Sequence, residues 1–129
     1  MPLRWSMSTV KDKIGLRRKL LLHEAERITQ ALADLGVQKV ILFGSLAKGM
    51  IHNGSDLDLL VVWDTDLRFM DRLDVIYRTV SPAVALDLLV YTPQELAELE
   101  KTRPFIRQIV SEGKILYEAR PRSGSKEMA

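Results

Sequence analysis

The chain has 129 residues, enough for one hydrophobic core and little more. Its 19 basic and 17 acidic side chains leave a net charge of +2, too even a balance to argue for nucleic acid or a membrane surface by itself. Cysteine is absent, which excludes disulfides, thiol nucleophiles and thiolate-bound zinc.

No apolar run approaches the roughly 20 residues needed to span a bilayer. Arg4 and Lys11 are not followed by the apolar stretch and cleavage site of a signal peptide. The expectation is a cytoplasmic protein with one domain over residues 1–118. Residues 1–8 read as a loose lead-in, and residues 119–129, rich in small and charged residues, as a flexible tail.

The elements alternate along the chain. Thr9 and Asp12 have capping-box spacing, with Asp in place of the usual Glu. Leu21, Ala25, Ile28, Leu32 and Leu35 then recur at steps of three and four, one face of a helix that Gly36 stops. Residues 37–43 are short and rich in branched apolar side chains, a strand. Residues 44–55 hold three glycines and an Asn-Gly pair, which predicts loop with at most a helical turn at its start. Residues 57–63 are nearly all apolar, a strand buried on both faces.

Asp64 to Asp66 can cap a third helical stretch carrying Met70, Leu73, Tyr77 and Val80 on one face, ended by Ser81-Pro82. Residues 84–91 read as a third strand. Thr92-Pro93-Gln94-Glu95 is a capping box with proline at the first helical position, and a helix follows to about Lys101. Another helix opens at Pro104 and closes at Gly113, and residues 114–118 suit a short edge strand. The fold expected is α/β (α+β in the broader sense), a small mixed sheet flanked by helices.

Three aspartates stand out. Asp56 and Asp58 begin the second strand, and the two-residue period of a strand puts both carboxylates on one face, roughly 6–7 Å apart. Like charges so close raise each other's pKa, and a divalent cation relieves them; hard oxygen ligands suit Mg²⁺ or Mn²⁺. An Asx turn leading into a strand explains the same pair more simply. Asp87 sits in Val84-Ala85-Leu86-Asp87-Leu88-Leu89-Val90, otherwise the sequence of a buried strand. An ionised carboxylate there costs several kcal/mol unless paired or hydrogen-bonded. Either a basic partner or amides satisfy it, or it joins Asp56 and Asp58 from a neighbouring strand in a site for two metals about 3.5–4 Å apart.

Phe43-Gly44-Ser45 ends the first strand. Glycine allows close backbone approach to a ligand, and the hydroxyl and amides of the following turn can hold phosphate oxygens. A plain strand-to-helix turn is the simpler alternative. Lys48 could add charge to a triphosphate, while Gly49 and Gly54 give the loop room to bend. Met50-Ile51 stand where a Walker A loop needs Lys-Ser or Lys-Thr, so this is not that loop.

Taken together, Gly44-Ser45, ten residues, Asp56-x-Asp58 and then Asp87 within a strand resembles the nucleotidyltransferase superfamily that includes the palm of DNA polymerase beta. Leu42-Phe43-Gly44-Ser45-x-Ala47-x-Gly49 with Ser55-Asp56-x-Asp58-Leu59 is similar to the minimal nucleotidyltransferase family, over about residues 10–117. Lys48 departs from the arginine of many relatives; charge is kept and bidentate phosphate geometry is lost.

The resemblance implies that Asp56, Asp58 and Asp87 ligate two Mg²⁺ ions, with Asp87 also helping to activate an acceptor hydroxyl. It implies that Gly44 and Ser45 hold the β- and γ-phosphates, while the hydroxyl attacks the α-phosphorus and pyrophosphate leaves. Larger relatives carry further domains for the acceptor. With little beyond the catalytic core here, the acceptor surface is expected from a second chain or a dimer mate. Minimal members resemble antitoxins that place AMP on a tyrosine of a HEPN-type RNase toxin, which implies ATP as donor and that protein as acceptor. A binding module that neutralises its partner by complex formation alone is the alternative. A metal-dependent nuclease is a weaker one, against which the Gly-Ser element argues.

Other residues carry less. His23 reads as a surface histidine and His52 as a loop residue beside the site. Arg17-Arg18-Lys19, Arg103 and Arg107 read as solvated charge, with RNA or an acidic partner as the other use. Trp5 and Trp63 read as packing residues.

Overall fold

The computed structural model describes residues 10–50 and 56–120. Thr9, Trp5, His52, Gly54, Ser55 and most of the expected tail lie outside them. Helix α1 (Val10–Leu35) leads into β1 (Lys39–Phe43) and the short α2 (Gly44–Lys48). Then come β2 (Leu57–Val62), α3 (Phe69–Val80), β3 (Leu86–Tyr91), α4 (Pro93–Thr102), α5 (Pro104–Glu112) and β4 (Lys114–Glu118). The four strands form one mixed sheet in the order β3-β2-β1-β4, with β2 parallel to β3 and β1 antiparallel to both β2 and β4. This is the expected small mixed sheet with helices on both faces.

Alternation along the strands divides the core in two. Val40, Leu42, Leu57, Leu59, Val61, Leu86, Leu88 and Val90 face α1 and α3 and pack against Leu21, Ala25, Ile28, Leu32, Ile76 and Val80. Ile41, Leu60 and Val62 face the other way, onto Ile106 and Ile109 of α5, with Leu96 and Leu99 of α4 at the margin. The central strand β2 is thus buried on both faces from Leu59 onward, as its composition predicts.

Several boundaries shift for physical reasons. The first strand starts at Lys39 and not at Val37, because Val37 closes the helix before it. Gly36 takes φ +100, and the amides of Gly36 and Val37 both reach the carbonyl of Leu32 at 3.2 Å. Asp64 to Asp66 do not cap α3. The helix begins after Arg68, and Thr65 instead accepts a hydrogen bond from the Leu67 amide. The inward face of α3 is also rotated from the one expected: Met70 is 69% exposed, and Arg72, Ile76 and Val80 are buried. The third strand begins at Leu86 and not at Val84. The capping box at Thr92 forms as predicted, with reciprocal bonds between Thr92 and Glu95.

Two buried charges, both overlooked in the sequence, tie the layers together. Glu24 lies on the apolar stripe of α1 between Leu21 and Ile28. It accepts from Arg27 Nε and Nη2 at 2.7 and 3.0 Å and from the Ala83 amide at 2.8 Å. It thereby fastens α1 to the turn that feeds β3. The Arg27 guanidinium, helped by that amide, holds the Glu24 carboxyl at about 2 against an ordinary 4.5, although burial opposes the shift. Arg72 does the equivalent at the other end of the sheet, donating to the carbonyls of Leu67 and Val90 and bidentately to Glu95.

Replacing Glu24 with Gln should cost about 1–2 kcal/mol at pH 7, less than a fully enclosed pair because Arg27 meets solvent. A carboxyl whose folded pKa is depressed contributes fully above its unfolded value, near 4.5, and loses that contribution as pH falls through about 2. Urea unfolding of wild type and Glu24→Gln from pH 7 to pH 2 should therefore converge in acid.

Candidate active site

The residues singled out in the sequence meet at one end of the sheet. Gly44 directly follows β1, Asp58 is the second residue of β2 and Asp87 the second of β3. The register sets Phe43 opposite Asp58 and Asp58 beside Asp87. By strand alternation Asp58 and Asp87 share the face of Leu60, Leu89 and Tyr91, on which α4 and α5 lie. Their carboxylates lie close enough to act on each other directly.

Partial burial, then the proximity and charge of Asp87 and the charge of Asp56, push the Asp58 carboxyl up to about 6. Asp56 bears on Asp58 through its charge alone. Among the described residues no group of three acidic or histidine side chains is gathered closely enough to hold one ion. The expected three-way convergence is thus a two-carboxylate pair with a third acid at its edge.

Asp87 differs from expectation in its surroundings. The apolar sequence around it predicts enclosure, yet it is exposed between the buried Leu86 and Leu88. β3 is an outer strand of the sheet, and alternation turns Asp87 to the face opposite Leu86 and Leu88, where it is open to solvent. Its charge is tolerated because water reaches it; among the described residues no ion pair to it is formed. Tyr77 of α3 donates its hydroxyl to the carbonyl of Leu86, which fixes the backbone next to Asp87.

Gly44 is needed for two separate reasons. Its φ is +77, a region that side-chain-bearing residues rarely adopt, and a Cβ there would overlap Oδ2 of Asp58. The absent side chain is the space into which Asp58 turns. Ser45 follows within α2, and the carbonyl of Ser45 accepts from the Met50 amide at 2.9 Å. Lys48, exposed in the last turn of α2, lines a cavity with Gly44 and Asp58.

The weaker candidates separate cleanly. His23 is exposed, and Trp63 is half-buried and packs against the core. Arg107 donates to the carbonyls of Glu100 and Lys101 and so closes the end of α4. Within the described residues no helix is long and apolar enough to cross a membrane.

A four-stranded mixed sheet that gathers a Gly-Ser turn and strand-borne acids at one end is the architecture of nucleotidyl-transferring domains. The chain belongs to the polymerase beta nucleotidyltransferase family, whose model matches residues 26–122. It is 30% identical over 81 residues to a protein of Methanocaldococcus jannaschii provisionally named a protein adenylyltransferase, covering 63% of this chain and 79% of that one. A crystal structure from Sulfolobus solfataricus, of a protein provisionally described as a nucleotidyltransferase, superposes with a TM-score of 0.61. That likeness covers 82% of this chain and 87% of the other at 20% identity, and it bears on the fold alone.

Proposed function

We propose that this nucleotidyltransferase moves AMP from ATP to a hydroxyl on a partner protein, a tyrosine of a HEPN-type toxin, and thereby acts as its antitoxin. The observation that carries the reading is the meeting of Asp58 and Asp87 across β2 and β3, directly beside the gap left by Gly44. The relative named for protein adenylylation supports a protein acceptor.

The carboxylates fit a pair of divalent ions by their chemistry. They are hard oxygen donors, and two of them stand side by side on adjacent strands, where a cation would offset their repulsion. Asp58 and Asp87 would hold Mg²⁺ or Mn²⁺, with Asp56 completing the donor set from the strand's approach. When bound, the ions polarise the α-phosphoryl group and neutralise the charge that builds on the departing pyrophosphate.

The remaining work falls to the chain itself. Gly44 and Ser45 hold the β- and γ-phosphates, and Lys48 at the rim draws in the triphosphate charge. Asp87, open to solvent on the outer strand, takes the proton of the incoming hydroxyl. The hydroxyl oxygen bonds to the α-phosphorus as the bond to pyrophosphate breaks. Most of the acceleration comes from positioning and charge placement.

The test is transfer of label. The full chain is incubated with Mg²⁺, α-labelled ATP and the protein encoded beside it, expected to be a small helical one with an Arg-x₄-His pattern. Label on a tyrosine of that partner is the expected result. An unlabelled partner with all four nucleoside triphosphates would sink the reading. Neutralisation by binding alone is favoured by a different observation, that Asp56 does not gather with Asp58 and Asp87 into one three-acid group among the described residues. It requires that Asp58→Asn still protect cells from the partner.

A further inference from the structure

A cavity of about 260 Å³ opens on Gly44 and Asp58 and runs away from Asp87, between α2 and α5. Its size falls just below the ~300–1,000 Å³ of sites that enclose a whole ligand, so it suits one ring system and not an entire nucleotide. Its walls are apolar and partly aromatic. Phe43 and Phe105 meet edge to face at 6.0 Å, with Ala47 and Ile109 beside them. Two polar side chains of α5 stand among these: Gln108 donates through Nε2 to Oε1 of Glu112 at 3.2 Å.

We infer that this cavity receives the nucleobase of the donor triphosphate, with Phe105 as its stacking wall and Gln108 as the residue that reads its edge. The inference rests on the proposed nucleotidyl transfer and extends it to base recognition. Position comes first: the cavity begins where the phosphoryl group would be held and lies on the β1 side of Asp58. Asp87, the residue assigned to the acceptor, is on the opposite side and takes no part in the described wall.

Chemistry comes second. Phe105 is 57% exposed although it is a large apolar residue on a helix whose other apolar side chains are covered. A planar ring laid on it would remove that surface from water and gain stacking. The Gln108 amide, anchored through one hydrogen to Glu112, keeps a second hydrogen and a carbonyl oxygen. That donor-acceptor fork matches the amino group and N7 of adenine and mismatches the same edge of guanine, where N7 and O6 are both acceptors.

Calorimetric titration of the full chain in Mg²⁺ with ATP, GTP and inorganic tripolyphosphate tests this. Phe105→Ala should weaken ATP about 10-fold and leave tripolyphosphate unchanged. Gln108→Leu changes only an exposed polar side chain and so keeps the fold; it should reduce the preference for ATP over GTP by a similar factor. If Phe105→Ala weakens ATP and tripolyphosphate equally, or if neither variant changes nucleotide binding, the cavity is not the base site and the transfer reading stands. A wild-type chain that binds neither ATP nor tripolyphosphate overturns both.

Discussion

Asp58→Asn should abolish nucleotidyl transfer while making the metal-free fold more stable. The substitution removes one of the two carboxylates that meet across β2 and β3, and Asn keeps the shape but not the charge. On the proposed mechanism the lost charge is worth several kcal/mol, so the rate should fall at least about 10³-fold. Stability moves the other way. Partial burial and the neighbouring Asp87 and Asp56 push Asp58 up to about 6, so its ionised form is held at a cost in the folded state at pH 7. Because the group is partly open to water, only part of that cost is recovered, and a rise of about 3–5 °C in Tm is expected. Calorimetric melting without divalent ions, beside a transfer assay with them, checks both. A variant that transfers at the wild-type rate would show that the chemistry lies elsewhere. Gains in stability from disarming a site are the usual mark of acids brought together for function.

Gly44→Ala should damage the site more than the fold. At φ +77 an alanine costs about 1 kcal/mol in backbone strain. Its Cβ would also overlap Oδ2 of Asp58, so the carboxylate must turn away. Displacement of a reacting group by about 1 Å can cost about 10²-fold, and a loss of that order is expected in kcat/KM. Gly49 is the internal comparison. It has a similar φ, +72, but a Cβ there meets nothing within 4 Å. Gly49→Ala should therefore lose about the same stability and keep most of its transfer activity. Equal losses of activity in the two variants would mean that Gly44 matters only for its backbone and not for the space it leaves to Asp58.

Much of this molecule was legible in the residues. The helical face of Leu21, Ala25, Ile28 and Leu32, the three apolar strands, the capping box at Thr92 and the short β4 all follow from patterns that repeat over few residues. So does the pairing of a glycine-serine turn with strand-borne acids, because each motif is local and its spacing is printed in the chain. The signal for Glu24 and Arg72 was also present and passed over: each is a charge at helical spacing among apolar neighbours, Leu21 and Ile28 for one, Ile76 and Val80 for the other.

What the chain could not declare is which segments lie side by side. That β3 runs parallel to β2 with Asp87 next to Asp58 is fixed by two helical layers burying opposite faces of the sheet, a decision distributed over the whole core. The same packing leaves Asp87 in water, contrary to its apolar neighbours in sequence, because strand composition reports average burial and not which face of an outer strand is open at a given position. It also sets Phe105 of α5 against Phe43 of β1, more than sixty residues earlier, and so makes a cavity that no local pattern announces.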